Sequence, residues 1–85
     1  MDRDEIRKHV EGVLGVILVD KSMIREDSTL KDLVLDDDDI DQMFRTLDDD
    51  FGIVASHRDR RFAHTHPERM TLKLLVERIW KPDAN

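Results

Sequence analysis

Eight aspartates, Asp36, Asp37, Asp38, Asp39, Asp41, Asp48, Asp49 and Asp50, hold most of the chemistry this sequence can offer. Carboxylates in such density can bind a cation, cap a helix or steer a basic partner, and their spacing discriminates among these uses. Asp37, Asp39, Asp41 and Asp48 imitate the ligand positions of a calcium loop. However, Gln42 replaces the required glycine, and Asp48 replaces the bidentate glutamate. Ile40, Met43, Phe44 and Leu47 also claim the same residues for one face of a helix, on which those carboxylates point apart. No specific calcium site is expected, although loose divalent association that relieves the repulsion fits the pattern.

Other reactive types are scattered. His57, His64 and His66 come without any cysteine, a poor donor set for a closed tetrahedral zinc site, so they are expected to be surface or packing residues. Arg58, Arg60, Arg61 and Arg69 make a small basic patch that balances the aspartates or pairs with them within or between molecules. Ser28 follows Asp27 and reads as a turn or cap residue. No nucleophile and base, glycine-rich phosphate loop or paired buried carboxylates can be assembled at convincing spacing. The expectation is a protein that is not an enzyme and carries no cofactor.

Three amphipathic stripes must position these groups. Ile6, Val10, Val13, Leu14 and Ile17 share one helical face, predicting a first helix from about Asp2 to Val19. Gly12 and Gly15 predict fraying of its later half or close approach of another backbone. Asp20 to Leu35 reads as a long ordered loop with turn formers Asp27, Ser28 and Thr29, pinned by Leu30, Leu33 and Leu35. A second helix begins near Asp36 or Asp37, buries Ile40, Met43, Phe44, Leu47 and Phe51, and stops at Gly52. From Ile53 to Arg69 a loop with one short helix is expected. Its stretch Ser56 to Arg61 is too polar to bury, and Val54, Phe62 and Ala63 are the anchors. Thr71 caps a last helix with Leu72, Leu75, Val76 and Ile79 inward, which Pro82 ends. The fold class is all-α: a small four-helix bundle of three main helices and one short one, in a single domain over residues 1–85.

Composition narrows the function classes. Twenty acidic against 14 basic residues give a net charge of −6, which repels phosphate backbones and disfavours nucleic acid and anionic membranes as partners. Between Glu26 and Asp50 eleven acids face only Lys31 and Arg45, so the rest of the chain is net positive. The lack of cysteine suits a reducing compartment, and no apolar run is long enough to span a bilayer. The N-terminus opens with charges of mixed sign, unlike a signal peptide. A cytoplasmic monomer whose partner is a protein with a basic surface is the expectation.

From about Asp27 to Ile79 the chain resembles the acyl carrier protein family. The stretch from Asp27 to Leu33 resembles the loop before that family's attachment site. Leu47 to Phe51 resembles the acidic close of its second helix, and Met70, Thr71, Leu72, Leu75, Val76 and Ile79 are similar to its final helix. The resemblance implies a phosphopantetheine-bearing serine within an Asp, Ser, Leu triplet. Aligned without a gap from Phe51, that triplet falls on Asp36, Asp37 and Asp38. The family's glycine two residues earlier is Val34, and the stretch from Phe51 to Thr71 is about five residues longer than the family's common form. A carboxylate at residue 37 would give a labile acyl phosphate anhydride where a serine gives a stable phosphodiester, so Asp37 cannot anchor the arm. The chain is most similar to bacterial acyl-carrier-like proteins that lack the serine.

These readings lead to one expectation and two alternatives. The first is an acyl-carrier-like interaction module without phosphopantetheine whose eight aspartates, Asp36, Asp37, Asp38, Asp39, Asp41, Asp48, Asp49 and Asp50, dock a basic partner noncovalently. The second is a working carrier for fatty acid or polyketide-type synthesis modified at Ser28. The third is a regulator that responds to divalent metal.

Overall fold

The computed structural model describes residues 2–18 and 20–80. Four helices form a small bundle, and the described residues contain no strand: α1 (Arg3–Ile17), α2 (Asp37–Phe51), α3 (His57–Thr65) and α4 (Leu72–Trp80). None of them is long and apolar enough to cross a membrane. α1 packs against α2 and α4, and α3 against α2.

Each helix starts where a side chain can take a free backbone N–H. Asp2 accepts from the Glu5 amide at 2.9 Å, and Ser56 from the Asp59 amide at 3.1 Å. The Thr71 hydroxyl accepts from the Leu74 amide at 3.0 Å. Such caps stabilise a helix by about 1 kcal/mol each. α2 ends on Gly52, which adopts φ 66°. That left-handed turn lets the Ile53 amide return to the Leu47 carbonyl at 3.0 Å, with Ile53 folded back into the core.

The apolar stripes meet in one core. Val10 and Leu14 of α1, Met43 and Leu47 of α2, and Leu75 and Val76 of α4 are almost wholly buried. Each large side chain so buried contributes about 1.5–3 kcal/mol relative to leaving it exposed. Ala63 is the contribution of α3, small enough to let that helix lie close.

The long connection before α2 is ordered by backbone bonds as well as by its leucines. It opens with a 3-10 turn over Lys21–Met23 and then runs alongside the segment leading into α4. The Leu30 amide reaches the Met70 carbonyl, and the Leu72 amide the Ser28 carbonyl, each at 3.0 Å. Thr29 and Thr71 form an isolated antiparallel bridge. Leu30, Leu33 and Leu35 are all buried, as their pattern predicts.

Several expectations need correction. α1 runs unbroken through Gly12 and Gly15. The nearest neighbour of a Cβ at Gly15 would be the Lys21 side chain at 3.7 Å, so no backbone approaches there. Phe51 is 36% exposed because it is the last residue of α2, past the core, where it stacks on His9 at 3.9 Å. Val54 is exposed while its neighbours Ile53 and Ala55 are buried, so alternate residues of this connection turn inward. The stretch Ser56 to Arg61 is not wholly solvated: α3 begins inside it, and Asp59 is 3% exposed. The expected end of α1 at Val19 and the stop at Pro82 lie outside the described residues.

Candidate functional site

The candidate site is α2 and its flanks, where all eight aspartates lie. Asp37 is the first helical residue, within the start near Asp36 or Asp37 that the apolar stripe predicts. The structure divides the acids by the work they do. Asp36 and Asp39 form a capping box: the Asp39 amide donates to Asp36 Oδ1 at 2.8 Å, and the Asp36 amide donates to Asp39 Oδ2 at 3.4 Å. Two otherwise orphaned N–H groups are satisfied, and the carboxylates also sit at the positive end of the helix dipole.

Asp37 and Asp41 are one turn apart on the same face of α2, and His64 of α3 bridges them. Its Nδ1 lies 3.0 Å from Asp37 Oδ1, and its Nε2 lies 2.8 Å from Asp41 Oδ1. Ionised carboxylates only accept hydrogen bonds, so filling both contacts requires a proton on each ring nitrogen, which is the imidazolium. The hydrogen bond to Asp37 raises the His64 pKa above its ordinary value, partial burial opposes the rise, and Asp41 adds to it. The arrangement fastens α3 to the first half of α2.

Asp38, Asp48, Asp49 and Asp50 remain. All four are exposed, and among the described residues no lysine, arginine or histidine lies within ion-pair distance of them. The last three sit at the C-terminal end of α2, where the dipole is negative and like charges crowd.

The arginine patch does not neutralise these acids within the molecule. The Arg60 guanidinium lies over the Phe44 ring at 5.7 Å, within cation–π range, and its Nε is buried without a hydrogen-bond partner. Arg78, not singled out by the sequence pattern, holds the buried Asp59 through its Nε at 2.9 Å. Arg58, Asp59 and Arg78 line a cleft of about 300 Å³ together with Phe62, Met70 and Leu74.

The remaining sequence candidates separate. His66 contacts Glu68 at 3.5 Å and tilts against Phe62, and His57 lies exposed, so the three histidines do not converge. Among the described residues no group of three or more histidines and carboxylates is placed to hold a metal ion. Ser28 is 3% exposed, and its hydroxyl donates to the Met23 carbonyl at 2.6 Å.

Two features of this site escaped sequence reasoning. The pairing of His64 with α2 spans 27 and 23 residues, and it corrects the expectation that the carboxylates point apart: Asp37 and Asp41, four residues apart, share a face. Val34 adopts φ 57° and is 84% exposed, a state rarely tolerated by a β-branched residue. Nothing in the local residue pattern announces it. No family model, curated protein or solved structure matches the chain.

Proposed function

We propose that this chain is an acyl-carrier-like interaction module without phosphopantetheine, in which α2 docks a protein partner with a basic surface noncovalently. The observation that carries this reading is the charge of Asp38, Asp48, Asp49 and Asp50, exposed on α2 and without an ion-pair partner among the described residues. Asp48 to Asp50 weaken their own helix, and an intermolecular cation is what offsets such a cost. Asp36, Asp37, Asp39 and Asp41 add to the field that steers the partner while also holding the helix start and α3 in place.

Two local features support the acyl-carrier likeness. The first residue of α2, where the attachment serine would stand, is Asp37, with an exposed side chain. Just before it, Val34 holds a left-handed backbone that glycine, the family residue there, enters without strain. The carboxylate at 37 and the buried hydroxyl at Ser28 both favour a module with no acyl cargo over a carrier. It is read as a cytoplasmic binding protein rather than an enzyme.

A lysine-rich peptide of random sequence serves as the first probe. Its affinity should fall steeply with added salt and collapse in the Asp48→Asn, Asp49→Asn, Asp50→Asn variant. Affinity indifferent to salt would defeat the docking reading. Intact-mass measurement after incubation with coenzyme A and a phosphopantetheinyl transferase should show no adduct, and an adduct would restore the carrier reading.

A further inference from the structure

Beside the acidic end of α2 lies a half-open groove of about 190 Å³, between α1 and α2. Gly12, Val13, Val16 and Ile17 form one wall, and Gln42, Thr46, Asp50 and Phe51 the other. For scale, an apolar cavity of about 150 Å³ admits a benzene ring. The groove is therefore of a size to take one large apolar side chain.

Three observations make this more than a surface dent. Val16 is 83% exposed, and Phe51, at 36%, is held in place by stacking on His9. Gly12 lies one turn before Val16 on the α1 wall, and a Cβ added there would meet nothing within 4 Å. A mid-helix glycine weakens α1 relative to alanine, yet no neighbour in the fold requires it. The space above Gly12 is open. Finally, Asp50 lines the groove, with Asp48 and Asp49 beside it on the same helix end, all exposed and unpartnered among the described residues.

We infer that the groove seats a single apolar anchor, leucine or aromatic, from a partner segment whose flanking lysines or arginines engage Asp48, Asp49 and Asp50. Charge complementarity chooses this occupant: an apolar anchor alone would leave the acids facing nothing, and a basic segment alone would leave Val16 and Phe51 in water. A buried anchor ringed by charge pairs is the usual energetic plan of a protein interface. The inference deepens the docking reading of α2 and rests on it.

The test uses two short peptides of identical lysine and leucine content, one with its leucines on a single helical face and one scrambled. Binding to the whole chain is followed by fluorescence anisotropy, with wild type compared to Gly12→Ala, Gly12→Leu and the triple Asp48→Asn, Asp49→Asn, Asp50→Asn variant. Wild type should prefer the amphipathic peptide by about tenfold. Gly12→Leu should fill the groove and erase that preference while leaving the scrambled peptide's affinity unchanged. Gly12→Ala should melt no lower than wild type, which shows that the position tolerates a side chain. The triple variant should lose both peptides. Equal, salt-sensitive binding of both peptides that Gly12→Leu leaves untouched would overturn the groove and spare the docking reading of α2. Self-association blocked by Gly12→Leu would replace the basic partner with a second copy. Failure of both peptides to bind would remove both proposals.

Discussion

At the first turns of α2, Asp36 and Asp39 cap the backbone and Asp37 and Asp41 grip His64, whereas at its last turn Asp48, Asp49 and Asp50 touch no cation among the described residues. The residue type is the same, and the helix dipole is what differs. Negative charge at the N-terminal end is stabilising in place; at the C-terminal end it works against the helix. Acids at the first end are therefore explained by the fold, whereas those at the last end gain nothing from it among the described residues and stand in solvent. Asp59 on α3 marks the extreme of the partnered class, being buried and bonded to Arg78.

Substitutions can break this contrast at several points. The largest effect belongs to Arg78→Ala, which strands the Asp59 carboxylate in the interior and should cost about 3 kcal/mol in urea unfolding. Asp59→Ala should cost less, since the side chain of Arg78 is 35% exposed and can turn to water. Equal losses from the two would mean that Asp59 is not held as an ion. Next, Asp36→Ala removes the capping box and should cost about 1 kcal/mol, a loss that Asp38→Ala, at a position without such a bond, should not show.

Val34→Gly, at the approach to the same helix end, should instead stabilise by about 1 kcal/mol by relieving the left-handed valine. A lower melting temperature in that variant would mean the exposed side chain is held by something useful.

His64 gives the partnered end a pH signature. Because the folded-state pKa is raised, its stabilising contribution is complete below the ordinary histidine value of about 6.5 and is lost as pH rises through the folded value. Wild type should exceed His64→Gln by up to about 1 kcal/mol at the acid side of that window and converge with it above. Parallel stability–pH curves for the two would sever His64 from the aspartates. The smallest effect is at the other end. Asp48→Asn, Asp49→Asn, Asp50→Asn should raise stability by roughly 0.5 kcal/mol, as repulsion and the unfavourable dipole contact disappear. A loss there would make the two ends alike.

Much of this architecture could be read from the chain because it is written in local periodicity. The α2 stripe Ile40, Met43, Phe44 and Leu47 is buried as one face, and Gly52 ends the helix in the left-handed state that only glycine adopts freely. Phe51 belongs to the same stripe and was misplaced, because periodicity gives a direction around the helix and not the point where the core runs out. The short helix expected between residues 53 and 69 is α3, but the polar run from Ser56 concealed that part of it is buried. Its one deeply buried charge, Asp59, is tolerable only because Arg78, 19 residues on, faces it. The candidate site divides along the same line: the acids and their helical register were visible, and their partners were not.

The sequence by itself determined which segments are helical, which faces turn inward and that a carboxylate opens α2, since capping, periodicity and charge act within a few residues of chain. Tertiary structure alone decided that His64 bridges Asp37 and Asp41, that Ser28 is buried and that Gly12 borders an open groove beside Phe51. Those outcomes depend on how separate helices pack, and contacts between distant segments leave no spacing in the chain to be read.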